Sequence, residues 1–456
     1  MPIDVASIRP QSTASPEPAN RSVGAAPADP CAKPLVPGSA VAKALAAIWS
    51  GMPVTVLDAP PGSGKTESVV GIVAHLVEHA GLRVLIQVVT RNQGVALAHR
   101  LVRQVPPRLV EVAIKNLEPG VLPGGLYAGV RGLKVEPARV TVKTVASCAF
   151  RSPAEFDVIV VDEAYQAAYA DISLGASRAP QILCVGDPGQ IGPVITVDTS
   201  IWQHLDDAPH RPAPEVLAGL EGARRLSLDR TFRLGPRSAA AIAPLYGFPF
   251  SSAEVPRSLV GVGETNRGHR YDEIEALAVP PASGPDALSL LRAVVARVAS
   301  LVHTRQSFPA PNGEVATRHS MPSDIAVVVA RNSQVSLLRG LLAEQELEQV
   351  VVSTADRIQG AEHPIVVAVD PALGTRETND HAMSNGRLCV MASRHTTHLT
   401  WVHDGTWHKT LAGRSTTAVQ ARAVRSALCA VPAAGLGTAF PADPEDINEK
   451  GRPDVA

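Results

Sequence analysis

The run LDAPPGSGKTES (57–68) contains residue types suited to holding a polyphosphate. Gly62 and Gly64 let backbone N–H groups close around an anion, with Pro61 and Ser63 completing the loop and Glu67 following it. Lys65 supplies a charge for the β- and γ-phosphates, and Thr66 a hydroxyl for Mg²⁺. A second run, FDVIVVDEAYQ (156–166), ends a β-branched stretch in two adjacent acids, Asp162 and Glu163. Two acids closing a buried strand need a cation to offset them. With Mg²⁺–ATP on the loop, Asp162 becomes a carboxylate for the metal, bound directly or through its water, and Glu163 a general base for the attacking water. In VGDPGQIGPV (185–194), Gln190 is placed to sense a γ-phosphate without adding charge. Arg233 in LDRTFRLGP (228–236) and Arg394 in NGRLCVMASRH (385–395) suit a cis arginine finger, with Phe232 beside the first as a stacking surface.

These residues need strands and helices to position them. The nearly continuous apolar runs PVTVLD (53–58), VLIQVV (84–89), VTVKTV (140–145), FDVIVVD (156–162) and QILCVG (181–186) read as strands of a parallel sheet covered on both faces. Helical stretches such as GVALAHRLVRQV (94–105) alternate with them. A second series comprises IAVVVA (325–330), EQVVVST (348–354), PIVVAVD (364–370) and LTWVH (399–403), again with helices between. The pattern predicts α/β architecture with two doubly wound lobes in tandem. Residues 250–320, punctuated by Pro and Gly, show one good helix, DALSLLRAVVARVASLV (286–302). The expected organisation is a disordered segment 1–37, a first lobe 38–232, a second lobe 233–412, and a helical, then flexible tail 413–456.

Bulk composition excludes little. The chain has 456 residues, with 42 Lys and Arg against 43 Asp and Glu, so net charge names no polyanionic partner. Groove binding to nucleic acid needs only local donors. Cys31, Cys148, Cys184, Cys389 and Cys429 lack CxxC spacing, which argues against a disulfide framework or a cysteine zinc site and for a reducing, cytoplasmic setting. No stretch of about 18 apolar residues predicts a membrane span.

The ordered set APPGSGKT, DEAYQ, GDPGQIGP, TFR, TADRIQGAE and RLCVMASRH resembles the motifs of superfamily 1 helicases, most closely the Upf-like (Dna2/Nam7-like) branch of these P-loop NTPases. The resemblance spans about 40–405 and implies two RecA-like lobes. It assigns phosphate and Mg²⁺ to Lys65 and Thr66, metal and water to Asp162 and Glu163, and γ-phosphate contacts to Gln190, Arg233 and Arg394. Gly360 and Glu362 would lie near the ribose and phosphate. Thr90, Asn92, Thr144, Gln334 and Thr354 fall where the family grips a single strand, through neutral donors. The sequence departs from the family in four of its motifs: no adenine-reading glutamine precedes the loop, Phe232 replaces a tyrosine, Ala59 replaces the first glycine, and Ser393-Arg394-His395 stands in for Thr-Arg-Ala while keeping the arginine.

The expected function is an ATP hydrolase that moves on single-stranded nucleic acid, DNA favoured slightly over RNA. The alternative is an ATP-driven switch acting on a protein partner. A small-molecule phosphotransferase would not need the second-lobe motifs. His395, His398, His403 and His408 fit no zinc spacing and read as surface histidines. Trp401 and Trp407 read as packing residues, and ARRLSLDR (223–230) as a solvated face.

Overall fold

The computed structural model describes residues 35–128, 139–148, 156–282, 284–310, 313–375, 383–411 and 415–434. Most of the segment expected to be disordered, 1–37, and the tail from 435 onward lie outside them. The chain forms two units, Met1–Thr231 with Phe248–Phe250, and Phe232–Gly247 with Ser251–Ala456.

The first unit is built on eight strands: β1 (Val54–Asp58), β2 (Val84–Val88), β3 (Val110–Val112), β4 (Tyr127–Ala128), β5 (Val140–Thr144), β6 (Val158–Asp162), β7 (Gln181–Gly186) and β8 (Ala223–Ser227). They pair in the order β4-β3-β5-β2-β6-β7-β1-β8, and every pairing is parallel. All five residues of β1, β2 and β6 are buried, as strands covered on both faces require. Helix α1 (Ala40–Trp49) precedes the sheet, α2 (Lys65–Ala80) follows β1, and α3 (Arg91–Leu101) follows β2. Val69, Val73 and Leu76 of α2 join Ile86, Val160 and Leu183 in one core. Because β6, β7 and β1 are neighbours, the loops after all three emerge at one edge of the sheet. Ligands of doubly wound folds bind at such carboxyl ends. The basic run 223–230, read as a solvated face, contains β8, an edge strand with Arg224 and Arg225 exposed.

The two-residue strands β9 (Arg230–Thr231) and β10 (Ser251–Ser252) come next in the chain. The second unit has a five-stranded parallel sheet in the order β13-β19-β18-β16-β17. Its members are β13 (Ile274–Ala278), β16 (Ile325–Val329), β17 (Val351–Thr354), β18 (His363–Val369) and β19 (His395–His403). It also has a four-stranded antiparallel sheet, β12-β11-β14-β15, that the sequence did not reveal. Its strands are β11 (Ser258–Gly261), β12 (Arg270–Tyr271), β14 (Thr304–Pro309) and β15 (Val315–His319). Only one face is covered, so these short strands carry no continuous apolar run. Leu259 and Tyr271 reach the core, whereas Arg270 and Arg305 point to solvent.

Helix Thr416–Cys429 belongs to this unit. Its fully buried Arg425 donates from Nε to both oxygens of Asp370, at 2.9 and 3.0 Å, at the end of β18. Beyond the helix, Ala434 N donates to Ala276 O of β13 at 2.8 Å.

His395 and His398 are buried rather than on the surface, because β19 lies inside its sheet between β13 and β18. His395 Nε2 lies 2.7 Å from Ser238 Oγ, and His398 Nδ1 lies 2.7 Å from Asp272 O. Trp401 and Trp407 are buried packing residues.

Candidate active site

The turn after β1 wraps from Ala59 to Gly64, where α2 begins. Gly62 (φ 71°) and Gly64 (φ 82°) occupy the left-handed region that a side chain disfavours, which explains the glycines. Ala59 is fully buried and its φ is not positive, so alanine suits the place of the family's first glycine. Its N–H donates to Gly186 O at 2.9 Å, and Thr231 Oγ1 donates to Pro61 O at 2.6 Å. The loop is therefore fixed from both sides.

Lys65 Nζ lies 3.6 Å from Glu163 Oε1 and 3.7 Å from Asp187 Oδ2. Thr66 Oγ1 donates to Asp162 Oδ2 at 3.5 Å. Gln190 Nε2 donates to Asp187 Oδ2 at 2.7 Å, and Gln166 Nε2 to Glu163 Oε2 at 3.4 Å. Lys65, Thr66, Asp162, Glu163 and Gln190 thus come together, although β1, β6 and β7 are far apart in sequence. Asp187, which sequence reasoning did not single out, joins them. Its signal was an acid closing a buried strand, the same one that drew attention to Asp162.

Burial, with the Glu163 charge next, raises the Asp162 carboxyl to about 7 against the opposing pull of Lys65. An acid so reluctant to ionise, beside a threonine hydroxyl, fits a divalent cation that would favour its charged form. Among the described residues no group of three or more His, Cys, Asp or Glu forms a ready-made metal site. A cation held by Thr66 and Asp162 would therefore need oxygens from the nucleotide, as Mg²⁺ commonly does. The Ser63 hydroxyl is buried with no hydrogen-bond partner among the described residues, and so is open to a ligand oxygen. A bound divalent ion would offset the negative charge of a polyphosphate in this pocket.

The second unit has its own charged cluster. Arg233 pairs with Glu362 and donates from Nη1 to Ser393 O at 3.2 Å. Arg394 is buried and donates from Nη2 to Ser393 Oγ at 3.3 Å. Arg257, missed in the sequence, donates from Nη1 to Arg233 O at 2.7 Å and from Nη2 to Phe232 O at 3.2 Å. Burial opposes ionisation of Glu362, but Arg233, Arg394 and Arg257 outweigh it and hold the carboxyl below its usual range. Burial, then the same three arginines, pushes His395 down to about 3, so it stays neutral. Gly360 takes φ 89° three residues before His363, and Phe232 is exposed.

The residues expected to grip a strand are more dispersed. Thr90 caps α3, accepting from Gln93 N at 3.3 Å while its own N–H donates to Gln93 Oε1 at 2.8 Å. Asn92 lines a cleft of ≈ 460 Å³ with Arg91, Leu117 and Glu118. Thr144 ends β5, half-buried. In the second unit Thr354 ends β17, buried. Gln334 is buried too: Nε2 donates to Pro285 O at 2.8 Å, and Oε1 accepts from Arg331 N at 3.1 Å.

Among the described residues no helix is long and apolar enough to cross a membrane. A search of curated proteins returned no match. Among solved structures, the arterivirus nonstructural protein 10 (helicase) is similar at 16% identity and a TM-score of 0.43, covering 81% of this chain and 63% of that one. The same arterivirus protein in complex with DNA gives 16% identity and a TM-score of 0.42, with 81% and 64% covered. The PRRSV helicase gives 16% and 0.41, with 80% and 54% covered. The chain thus covers less than two thirds of each of these structures. Residues 40–213, the stretch that carries Lys65, Asp162 and Asp187, match the family model of an AAA domain.

Proposed function

We propose that this chain hydrolyses ATP with Mg²⁺ and uses the cycle to move on single-stranded nucleic acid, DNA in preference to RNA. One observation carries the reading: Lys65 stands between Glu163 and Asp187, with Thr66 on Asp162, at the carboxyl edge of the sheet. That arrangement provides a phosphate cation, a cation site and a base for water. The AAA match over 40–213 agrees with nucleotide binding. The motif order supports a superfamily 1 motor of the Upf-like branch, with lobes 38–232 and 233–412 and 5′→3′ movement. Arg233 and Arg394 then act as arginine fingers, and Thr90, Asn92, Thr144, Gln334 and Thr354 contact the strand. The scattered cysteines, without CxxC spacing, suit the cytoplasm.

The test is ATP turnover with and without single-stranded DNA or RNA. The motor reading expects stimulation by at least one polymer. Turnover indifferent to both would support a switch acting on a protein partner instead. If Glu163→Gln left turnover intact, the site itself would be misassigned.

A further inference from the structure

We propose that Tyr165 is a positioning residue: its hydroxyl, locked by Asp58 and Arg225, fixes the turn that aims the Glu163 carboxylate. The inference rests on reading Glu163 as the base that acts on water. Glu163 has φ 54°, a left-handed conformation disfavoured for a residue with a Cβ. Such a backbone persists only where the surroundings hold it. The holding group follows two residues later, in the short 3-10 turn Ala164–Gln166.

Tyr165 is buried, and its hydroxyl donates to Asp58 Oδ1 at 2.6 Å. The other oxygen of Asp58 accepts from Arg225 Nε at 2.6 Å, and Arg225 Nη2 donates to the Tyr165 hydroxyl at 3.1 Å. The three groups close a triangle that joins the ends of β1 and β6 to β8. Hydrogen bonds to an ionised carboxylate in a buried setting are short and strong. Burial and the Asp58 charge both raise the tyrosine's pKa, so it remains a neutral donor.

Tyr165 also sets the place of a second acid. A Cβ on Gly186 would lie 2.9 Å from Tyr165 Cδ2, 3.0 Å from Ala164 N and 3.1 Å from Tyr165 N. The turn therefore lies directly on the end of β7, whose next residue is Asp187. Both carboxylates that flank Lys65 are thus registered against one tyrosine. Phenylalanine would fill the same volume but would release the turn from Asp58 and Arg225, leaving Glu163 with its weaker contacts to Gln166 and Lys65.

The experiment uses the full chain with Tyr165→Phe and reads kcat, nucleotide Kd and thermal stability. Misplacing a reacting group by about 1 Å costs on the order of 10²-fold. The expected result is a kcat lowered roughly 10- to 100-fold, with Kd for a fluorescent ATP analogue changed less than about twofold. Arg225→Lys keeps a charge beside Asp58 and weakens the hold on the hydroxyl. It should give a smaller loss in the same direction, and it serves if Tyr165→Phe does not fold. In a Glu163→Gln background, Tyr165→Phe should cause no further loss, because it acts through that carboxylate. Normal kcat with a lowered Tm, or full additivity with Glu163→Gln, overturns the inference. If Glu163→Gln alone leaves turnover unchanged, it is the underlying reading that fails.

Discussion

The two units concentrate charge of opposite sign. In the first, one lysine lies among Asp162, Glu163 and Asp187, and burial raises the Asp162 carboxyl to about 7. In the second, Arg233, Arg257 and Arg394 surround one glutamate, Glu362, and a neutral His395. In the first cluster acids outnumber the lysine, and in the second arginines outnumber the glutamate. Each cluster is electrostatically unbalanced in its own unit, the first towards negative and the second towards positive charge. The proteins that tolerate such excesses usually do so at functional sites.

The contrast is easiest to break in the first unit. Lys65→Ala removes the ammonium that lies beside Glu163 and Asp187, and ATP turnover should fall on the order of 10³-fold or more. Steady-state hydrolysis measures it, and retention of activity would show that the acid cluster serves something else. Arg233→Ala is the matching change in the second unit. On the arginine-finger role proposed for it, it should lower turnover roughly 10²- to 10³-fold while nucleotide Kd changes little, since such a residue acts mainly on the transition state.

Acid should separate the units by sign. His395 stays neutral down to about pH 3 when folded but protonates near 6.5 when unfolded. Its contribution is complete above pH 6.5 and declines as pH falls towards 3, by roughly 1.4 kcal/mol per pH unit. His398, held well below 6.5 by burial and then by Arg297, acts in the same direction. Glu362 adds a further loss once pH falls below its ordinary 4.5. Asp162 does the reverse: its raised folded value, about 7 against 3.8, makes the first unit gain stability as pH falls through that interval. Hydrogen exchange in β16 and β18 reports the second unit, and in β2 and β6 the first. Equal acid lability of both units would contradict this account.

The smallest effect compares two strand-to-helix turns. Gln93 and Gln334 each accept from the backbone N–H three residues earlier, that of Thr90 and that of Arg331. Alanine at either should cost about 1 kcal/mol. If Gln334→Ala also weakens single-strand binding in a mobility or anisotropy assay and Gln93→Ala does not, Gln334 does more than cap its helix.

The sequence disclosed what is local or repetitive. Fully covered strands such as Val158–Asp162 announce themselves by continuous apolar runs, and the phosphate turn by its glycines. The antiparallel sheet stayed hidden because one face is wet, so residues like Arg270 and Arg305 interrupt the apolar pattern. Arg257 was invisible because its partners are carbonyls of distant residues, which no side-chain spacing encodes. Tyr165 could not be explained from its neighbours, since Asp58 and Arg225 lie 107 and 60 residues away. The buried histidines were misplaced because spacing alone does not reveal that β19 is an interior strand.

The Arg425–Asp370 pair bears on how the protein is made. The first sheet is complete once residue 227 has been synthesised, and it can collapse while the rest is still on the ribosome. The second unit must wait. Until residue 425 emerges, Asp370 has no arginine, and a lone buried carboxylate costs several kcal/mol. Closing the second sheet over Asp370 is thus disfavoured until Arg425 arrives, which makes this pair a late step in packing the unit.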